Sequence, residues 1–299
     1  MKTVAIYTLP TKPEAIKYAE KASVLLSEMG VEVIATEDFC EEISVSSSLQ
    51  VHKCDLCDFE KKADVLLSFG GDGTMLAAAK ILLKTGIPIM GFNVGKLGFL
   101  AEYNTKFLAQ SLSDLTSGNY RVVERTVLEC EIVGRDGEIN YALNDFTMEK
   151  KNTSRMITVS TWSNDNHVAD YKADGLILTT PTGSTAYSLS CGGPIISPGT
   201  PVFCLTPISP HTLTLRPLII PNSAEVKLRV KSPTGESSFV MDGHNHIAVK
   251  DGEEVIIRKS EDKIKLIKPI NSSYYDLLRE KLLWASEIPY RKPEGEPHD

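Results

Sequence analysis

The run Ala63-Asp64-Val65-Leu66-Leu67-Ser68-Phe69-Gly70-Gly71-Asp72-Gly73-Thr74, continued by Met75 to Lys84, decides the reading of this chain. An apolar segment of strand length meets two glycines, a carboxylate, a third glycine and a hydroxyl. The Ala- and Leu-rich segment Met75 to Lys84 then predicts a helix. Strand, glycine turn and helix start make a concave backbone that a phosphate or sugar can approach closely. Asp72 does not suit a plain anion cradle, because a carboxylate at a helix start competes with a bound anion for the same positive end. Chemistry is the better reading, against the alternative of a structural glycine turn.

Working outward, the first third alternates strand and helix signals. Val4 to Leu9 reads as a strand, and Thr11-Lys12-Pro13-Glu14 as a capping box with proline at the helix start. Ala15, Ala19, Ala22, Leu26 and Met29 recur at helical spacing before Gly30. Val31 to Ala35 and Ile87 to Asn93 read as further strands, and Glu37 to Lys62 as a long loop with a short helix. Asn104 to Leu115 predicts a helix closed by Gly118. The expectation is an α/β domain with a mostly parallel sheet over residues 1–118.

From Asn119 the texture changes to short strands and turns. Val127 to Val133 and Ile139 to Met148 flank one hairpin turn, and Met156 to Trp162 and Val168 to Tyr171 flank another at Ser163-Asn164-Asp165-Asn166. Strands follow at Gly175 to Thr180, Pro201 to Leu205, Glu225 to Lys231, Ser238 to Met241, His246 to Val249, Glu254 to Arg258 and Lys263 to Ile267. A sandwich-like all-β domain is expected over 119–270. Ser273 starts a last helix, within 271–288, expected to return to the first domain, and 289–299 reads as a mobile tail.

Composition bounds the partners. A net charge of −7 over 299 residues argues against a basic nucleic-acid-binding surface, and no apolar run is long enough to span a bilayer. The start has no secretory-signal pattern, so a cytoplasmic location is expected, with the six cysteines as reduced thiols. Cys54-Asp55-Leu56-Cys57, with His52 and Cys40 upstream, lacks the second close pair of a zinc knuckle. Standard nucleotide motifs also fail: Gly91 to Leu97 is one residue short of a P-loop, with leucine in place of its hydroxyl, and Leu76 replaces the third glycine of the dinucleotide fingerprint. Three other stretches can carry chemistry: Leu143-Asn144-Asp145-Phe146 within a β run, the strand–turn–helix from Tyr171 to Pro194, and the carboxylate and imidazoles of Met241-Asp242-Gly243-His244-Asn245-His246.

Taken in order, Gly70-Gly71-Asp72-Gly73-Thr74, Asn144-Asp145, Asp174-Gly175, Thr179-Thr180-Pro181-Thr182-Gly183-Ser184-Thr185-Ala186-Tyr187 and Asp242-Gly243 resemble the NAD kinase family. Gly91-Phe92-Asn93 and Leu97-Gly98-Phe99-Leu100 fit the same pattern. The resemblance implies two domains with the active site between them, and transfer of the ATP γ-phosphoryl group to the 2′-hydroxyl of the NAD adenosine ribose, assisted by a divalent metal, Mg²⁺ first. It further implies Asp72 as proton acceptor, with Gly73 beside the dinucleotide. Asn144, Asp145, Lys172, Asp174 and the segment Thr185, Ala186, Tyr187, Ser188, Leu189 and Ser190 are implied dinucleotide contacts, as is the basic Arg155. His244 stands where many members have glutamine. A homodimer or homotetramer is implied too. A lipid kinase sharing the glycine motif and an NAD(P)-sensing module without turnover are the alternatives from other classes.

Overall fold

The computed structural model describes residues 1–9, 12–42, 51–53, 55, 59–135 and 137–283. The first part comprises β1 (Thr3–Thr8), α1 (Pro13–Glu28), β2 (Glu32–Ala35), α2 (Glu37–Glu42), β3 (Val51–Lys53), α3 (Phe59–Lys62), β4 (Val65–Gly70) and α4 (Asp72–Leu82). It continues through β5 (Ile89–Asn93), β6 (Tyr103–Asn104) and α5 (Leu108–Ser117). The β-rich part begins with β7 (Arg121–Ile132), β8 (Ile139–Ala142), β9 (Asp145–Lys150), β10 (Ile157–Ser163), β11 (Asn166–Ala173), β12 (Gly175–Thr179) and α6 (Tyr187–Ser190). Then come β13 (Val202–Ile208), β14 (Leu218–Pro221), β15 (Val226–Lys231), β16 (Glu236–Met241), β17 (Asn245–Lys250), β18 (Glu254–Lys268) and α7 (Tyr274–Leu282).

β1, β2, β3, β4 and β5 pair in parallel, with β1, β4 and β5 the buried apolar centre and the polar β3 at the edge. Helices cover both faces. α1 and α5 pack with β1, β2 and β4 around Leu26, Val33, Leu67 and Leu112, while α4 covers the other face through Met75, Ala78 and Leu82. The β-rich part is a sandwich, with β14-β13-β12-β9-β16-β17 as one entirely antiparallel layer. Phe146, Met148, Phe203 and Phe239 from that layer meet Leu128, Val226, Leu228 and Ile257 from the other.

β18 joins the two parts. It runs antiparallel to β15 and β7, then its last residues pair in parallel with β5, Leu266 opposite Ile89 and Ile267 opposite Met90. One sheet therefore continues across the change of texture at Asn119. The sequence suggested two strands here, Glu254 to Arg258 and Lys263 to Ile267. They are one strand, because a bulge between Lys259 and Lys263 absorbs the polar interruption without breaking the ladder.

Other expectations shift for local reasons. The helix after the glycine turn begins at Asp72, since Gly71 is its N-cap, rather than at Met75. Ile139 to Met148 is not one strand: it breaks at Leu143-Asn144, where the chain passes between the two layers. The 37–62 stretch carries the edge strand β3 and the short helices α2 and α3. β14 pairs on β13 although Pro221 ends it, an edge position where the missing N–H is tolerated. α1 is capped by Lys12 with no side-chain bond, while Thr11 lies outside the described residues, as do Cys54, Cys57, Trp284 and the tail. Gly118 closes α5 at φ +80°, as expected. α7 begins on Ser273, whose hydroxyl accepts the Tyr275 N–H at 3.2 Å, and Lys281 on it donates to the Leu97 carbonyl. Among the described residues no helix is long and apolar enough to cross a membrane.

Candidate active site

Asp72 is the first residue of α4, yet its carboxylate does not cap that helix. It turns to the loop after β5 and takes three backbone N–H groups: Phe99 on Oδ2 at 2.8 Å, and Leu100 and Ala101 on Oδ1 at 2.9 and 3.3 Å. Gly98 is glycine for this reason, because a Cβ there would collide with the Asp72 carboxylate. The half-buried carboxylate therefore ties the start of α4 to the 98–101 loop. The first-turn N–H groups of Asp72 and Gly73 have no carbonyl four residues back within the helix and face outward from it.

Asp242 builds a second clamp of the same kind. Its Oδ2 accepts the Leu143 N–H at 3.0 Å, and its Oδ1 those of Asn144 and Asp145 at 2.7 and 3.1 Å. It holds this pose at φ +48°, in the left-handed region that carboxamide and carboxylate residues tolerate better than most. The Asn144 carbonyl is fixed from the other side by the Thr180 N–H at 2.8 Å and the Thr179 hydroxyl at 3.0 Å, while the Thr180 hydroxyl bonds the Leu143 carbonyl at 2.7 Å. A Cβ on Gly183 would run into the Asn144 carbonyl. Much of the Thr179 to Tyr187 motif thus serves to hold residues 143–145, leaving the Asn144 side chain without a hydrogen bond among the described residues. Burial raises the Asp242 carboxyl above its ordinary range against the three N–H groups that lower it. Asp145, 4% exposed, is pushed up to about 7 by burial first and by the Asp242 charge second, with the Thr147 hydroxyl pulling the other way.

Two cavities meet at the Asp242 turn. One, of about 300 Å³, is lined by Asn144, Asp145, Thr147, Ala186, Tyr187 and Gly243. The other, of about 210 Å³, runs along α4 past Gly73, Leu76 and Lys80 and is closed opposite by Tyr141, Leu143 and His244. His244 donates from Nδ1 to the Asp242 carbonyl at 2.7 Å. Thr185 is half-buried, with its hydroxyl on the Thr182 carbonyl at 3.4 Å. Ser188 is buried with its hydroxyl 2.8 Å from that of Thr206, Leu189 is half-buried and Ser190 is exposed, and none of the three lines either cavity.

Three of the sequence-derived residues lie elsewhere. β12 runs from Gly175, opposite Glu149, to Thr179, opposite Asp145, so Asp174 and Asp145 stand at opposite ends of the β9–β12 pair. That is about 17 Å of strand. Asp174 bonds Lys150 at 2.7 Å, exposed Lys172 pairs with Thr158 across β10–β11, and exposed Arg155 lies on the β9–β10 connection. Sequence reasoning weighed Asp242 only within its turn and did not single out the Phe99 to Ala101 amides. The Asp-Gly repeat at 72–73 and 242–243 and the Gly98 position were the available signals.

The chain as a whole has counterparts. The model for the ATP-NAD kinase N-terminal domain matches residues 4–120, and that for the ATP-NAD kinase C-terminal domain matches residues 143–269. The NAD kinase of Koribacter versatilis is 37% identical over 289 residues, covering 95% of this chain and 99% of its own length. The chain belongs to the NAD kinase family. The NAD kinase of Magnetococcus marinus is 34% identical over 290 residues, covering 96% and 95% of the two chains. Among solved structures, yeast NADH kinase complexed with NADH superposes with a TM-score of 0.90 at 26% identity, over 98% of this chain and 90% of that one. An Archaeoglobus fulgidus NAD kinase in complex with ATP shares the fold, with a TM-score of 0.74 at 23% identity over 94% and 98%. The two clamps of this kinase thus fall one in each family domain, Asp72 in the first and Asp242 in the second.

Proposed function

We propose that this kinase transfers the ATP γ-phosphoryl group to the 2′-hydroxyl of the NAD adenosine ribose, with Asp72 as proton acceptor. The observation that carries this reading is the Asp72 clamp beside two cavities that share the Asp242 turn. The adenosine end of NAD occupies the cavity of Asn144, Asp145, Ala186 and Tyr187, where the free amide and the buried carboxyl offer donor and acceptor groups to a base or ribose. The donor lies on the Gly73 side, with its phosphates at the first-turn N–H groups of α4.

Oδ2 of Asp72 carries one amide bond and keeps an acceptor position for the hydroxyl proton. As that proton leaves, the ribose oxygen forms a bond to the γ-phosphorus, the β–γ bridging bond breaks, and its electron pair stays on the departing ADP. A positioned carboxylate contributes about 10²- to 10⁴-fold to such a step. Held by backbone N–H groups, Asp72 keeps one direction and does not need to reorganise during transfer.

Mg²⁺ accompanies the donor in the family reading, but these residues do not form a metal site of their own. Among the described residues no three His, Cys, Asp or Glu side chains converge. The chemistry assigned here therefore rests on the chain's own groups. Lys172, Asp174 and Arg155 lie toward the end of the strands away from Asp145, and their contribution is assigned to a site completed by a second copy of the chain.

The test is formation of NADP from NAD and ATP with Mg²⁺, followed by absorbance in a coupled dehydrogenase assay. Asp72→Asn is expected to remain folded, retain NAD binding and lose at least about 10²-fold in kcat. No NADP from the wild-type chain overturns the reading, and full turnover by the variant overturns the role of Asp72. NADH run in parallel tells whether the reduced form is accepted.

A further inference from the structure

Behind Asp72 lies a buried ion pair that phosphoryl transfer does not itself use. Lys268, the last residue of β18, is 1% exposed, and its Nζ stands 2.7 Å from Glu102 Oε1 and donates to the Leu100 carbonyl at 3.0 Å. Burial lowers its pKa, against the charge of Glu102, which raises it. Arg125 lowers it further and Asp72 raises it, so the ammonium is surrounded by charges from three different segments. Taking an ammonium and a carboxylate out of water is costly, and their attraction often does no better for stability than apolar residues of similar volume. Stability alone therefore gives a weak reason for a lysine here.

The Leu100–Ala101 peptide supplies a better one. Its carbonyl, that of Leu100, accepts from Lys268, and its N–H, that of Ala101, bonds Asp72 Oδ1 at 3.3 Å, beside the Leu100 N–H at 2.9 Å on the same oxygen. A single residue thus stands between the cation on β18 and the carboxylate on α4. The cation also polarises the Leu100–Ala101 peptide so that the Ala101 N–H becomes a stronger donor to Asp72. Removing the cation frees the carbonyl to rotate, and the clamp with it.

We propose that Lys268, paired with Glu102, is a positioning residue that sets the 99–101 amides and through them the direction of the Asp72 carboxylate during transfer. This rests on Asp72 being the proton acceptor.

The test is a kinetic cycle combining Asp72→Asn with the charge-free pair Lys268→Met and Glu102→Leu, at a temperature where circular dichroism shows each variant folded. The Lys268→Met/Glu102→Leu protein is expected to lose about 10- to 100-fold in kcat, the scale of a small misplacement, with KM for NAD within about threefold of wild type. Adding Asp72→Asn to it is expected to lower kcat much less than the same change does in wild type, because the carboxylate is already misdirected. Wild-type kcat in the charge-free variant, or multiplicative losses, overturns the inference while leaving the reaction and Asp72 in place. Full turnover by Asp72→Asn alone overturns the Asp72 assignment and this inference with it. If the double replacement does not fold, the cycle is run on Lys268→Met, with the same outcomes.

Discussion

At the scale of residues, the site rests on carboxylates whose environments differ. Asp72 is half-buried and takes three N–H groups. Asp145 is buried beside another carboxylate and, among the described residues, its carboxyl takes a hydrogen bond from the Thr147 hydroxyl alone, at 3.3 Å. Its pKa of about 7 makes the folded state bind a proton that the unfolded chain, with a carboxyl near 4, releases. The sign follows: this group's stabilising contribution is full below about pH 4 and is lost as pH rises through about 7. Asp145→Asn is therefore expected to gain stability relative to wild type as pH rises across that window. Thermal midpoints of both proteins at half-unit pH steps check this, and parallel profiles would refute it.

Among elements, the informative feature is the break between β8 and β9. A continuous strand would keep residues 139–150 in one layer, whereas the break sends β8 to the long sheet and β9 to the opposite one. The three N–H groups at the break have lost their ladder partners and are satisfied by Asp242. Such groups are costly to leave unpaired when buried. Asp242→Asn replaces an acceptor-only group by one that also presents N–H donors, and is expected to cost about 2 kcal/mol by leaving amides unsatisfied. Because Asn144 and Asp145 then lose their fixed position, KM for NAD is expected to rise more than kcat falls. Urea unfolding and steady-state kinetics measure the two effects. A variant with wild-type KM would show that the clamp does not position the dinucleotide.

Across the whole molecule, β18 makes the α/β part and the sandwich share one sheet, and so fixes the glycine turn relative to the Asp242 turn. The same architecture separates Lys172 and Asp174 from Asp145 along the strands. If these residues act at a site completed by a second copy, two differently inactivated chains will complement each other. Co-expressed Asp72→Asn and Lys172→Ala chains are expected to recover part of the turnover that each lacks alone, since some sites then take Asp72 from one chain and Lys172 from the other. Purification through two different tags and assay of the mixed species checks this. Two weak variants with no gain on mixing would place Lys172 outside the site.

Legibility followed the range of the interactions. The glycine turn, the parallel α/β order, the hairpin at Ser163 to Asn166 and the Ser273 helix start were readable because each depends on neighbours in the chain: glycine at a turn, apolar periodicity, a capping hydroxyl. The motif order was enough to suggest the family. What Asp72 and Asp242 bond to was not readable, since their N–H partners lie 27 to 29 and 97 to 99 residues away. Nor was the unity of β18, whose polar interruption looks like a boundary until β7 is laid beside it. By itself the sequence determined that a carboxylate stands at a glycine-rich helix start. Only the tertiary structure decided what that carboxylate holds, because backbone N–H groups are identical along the chain and folding alone selects which of them it meets.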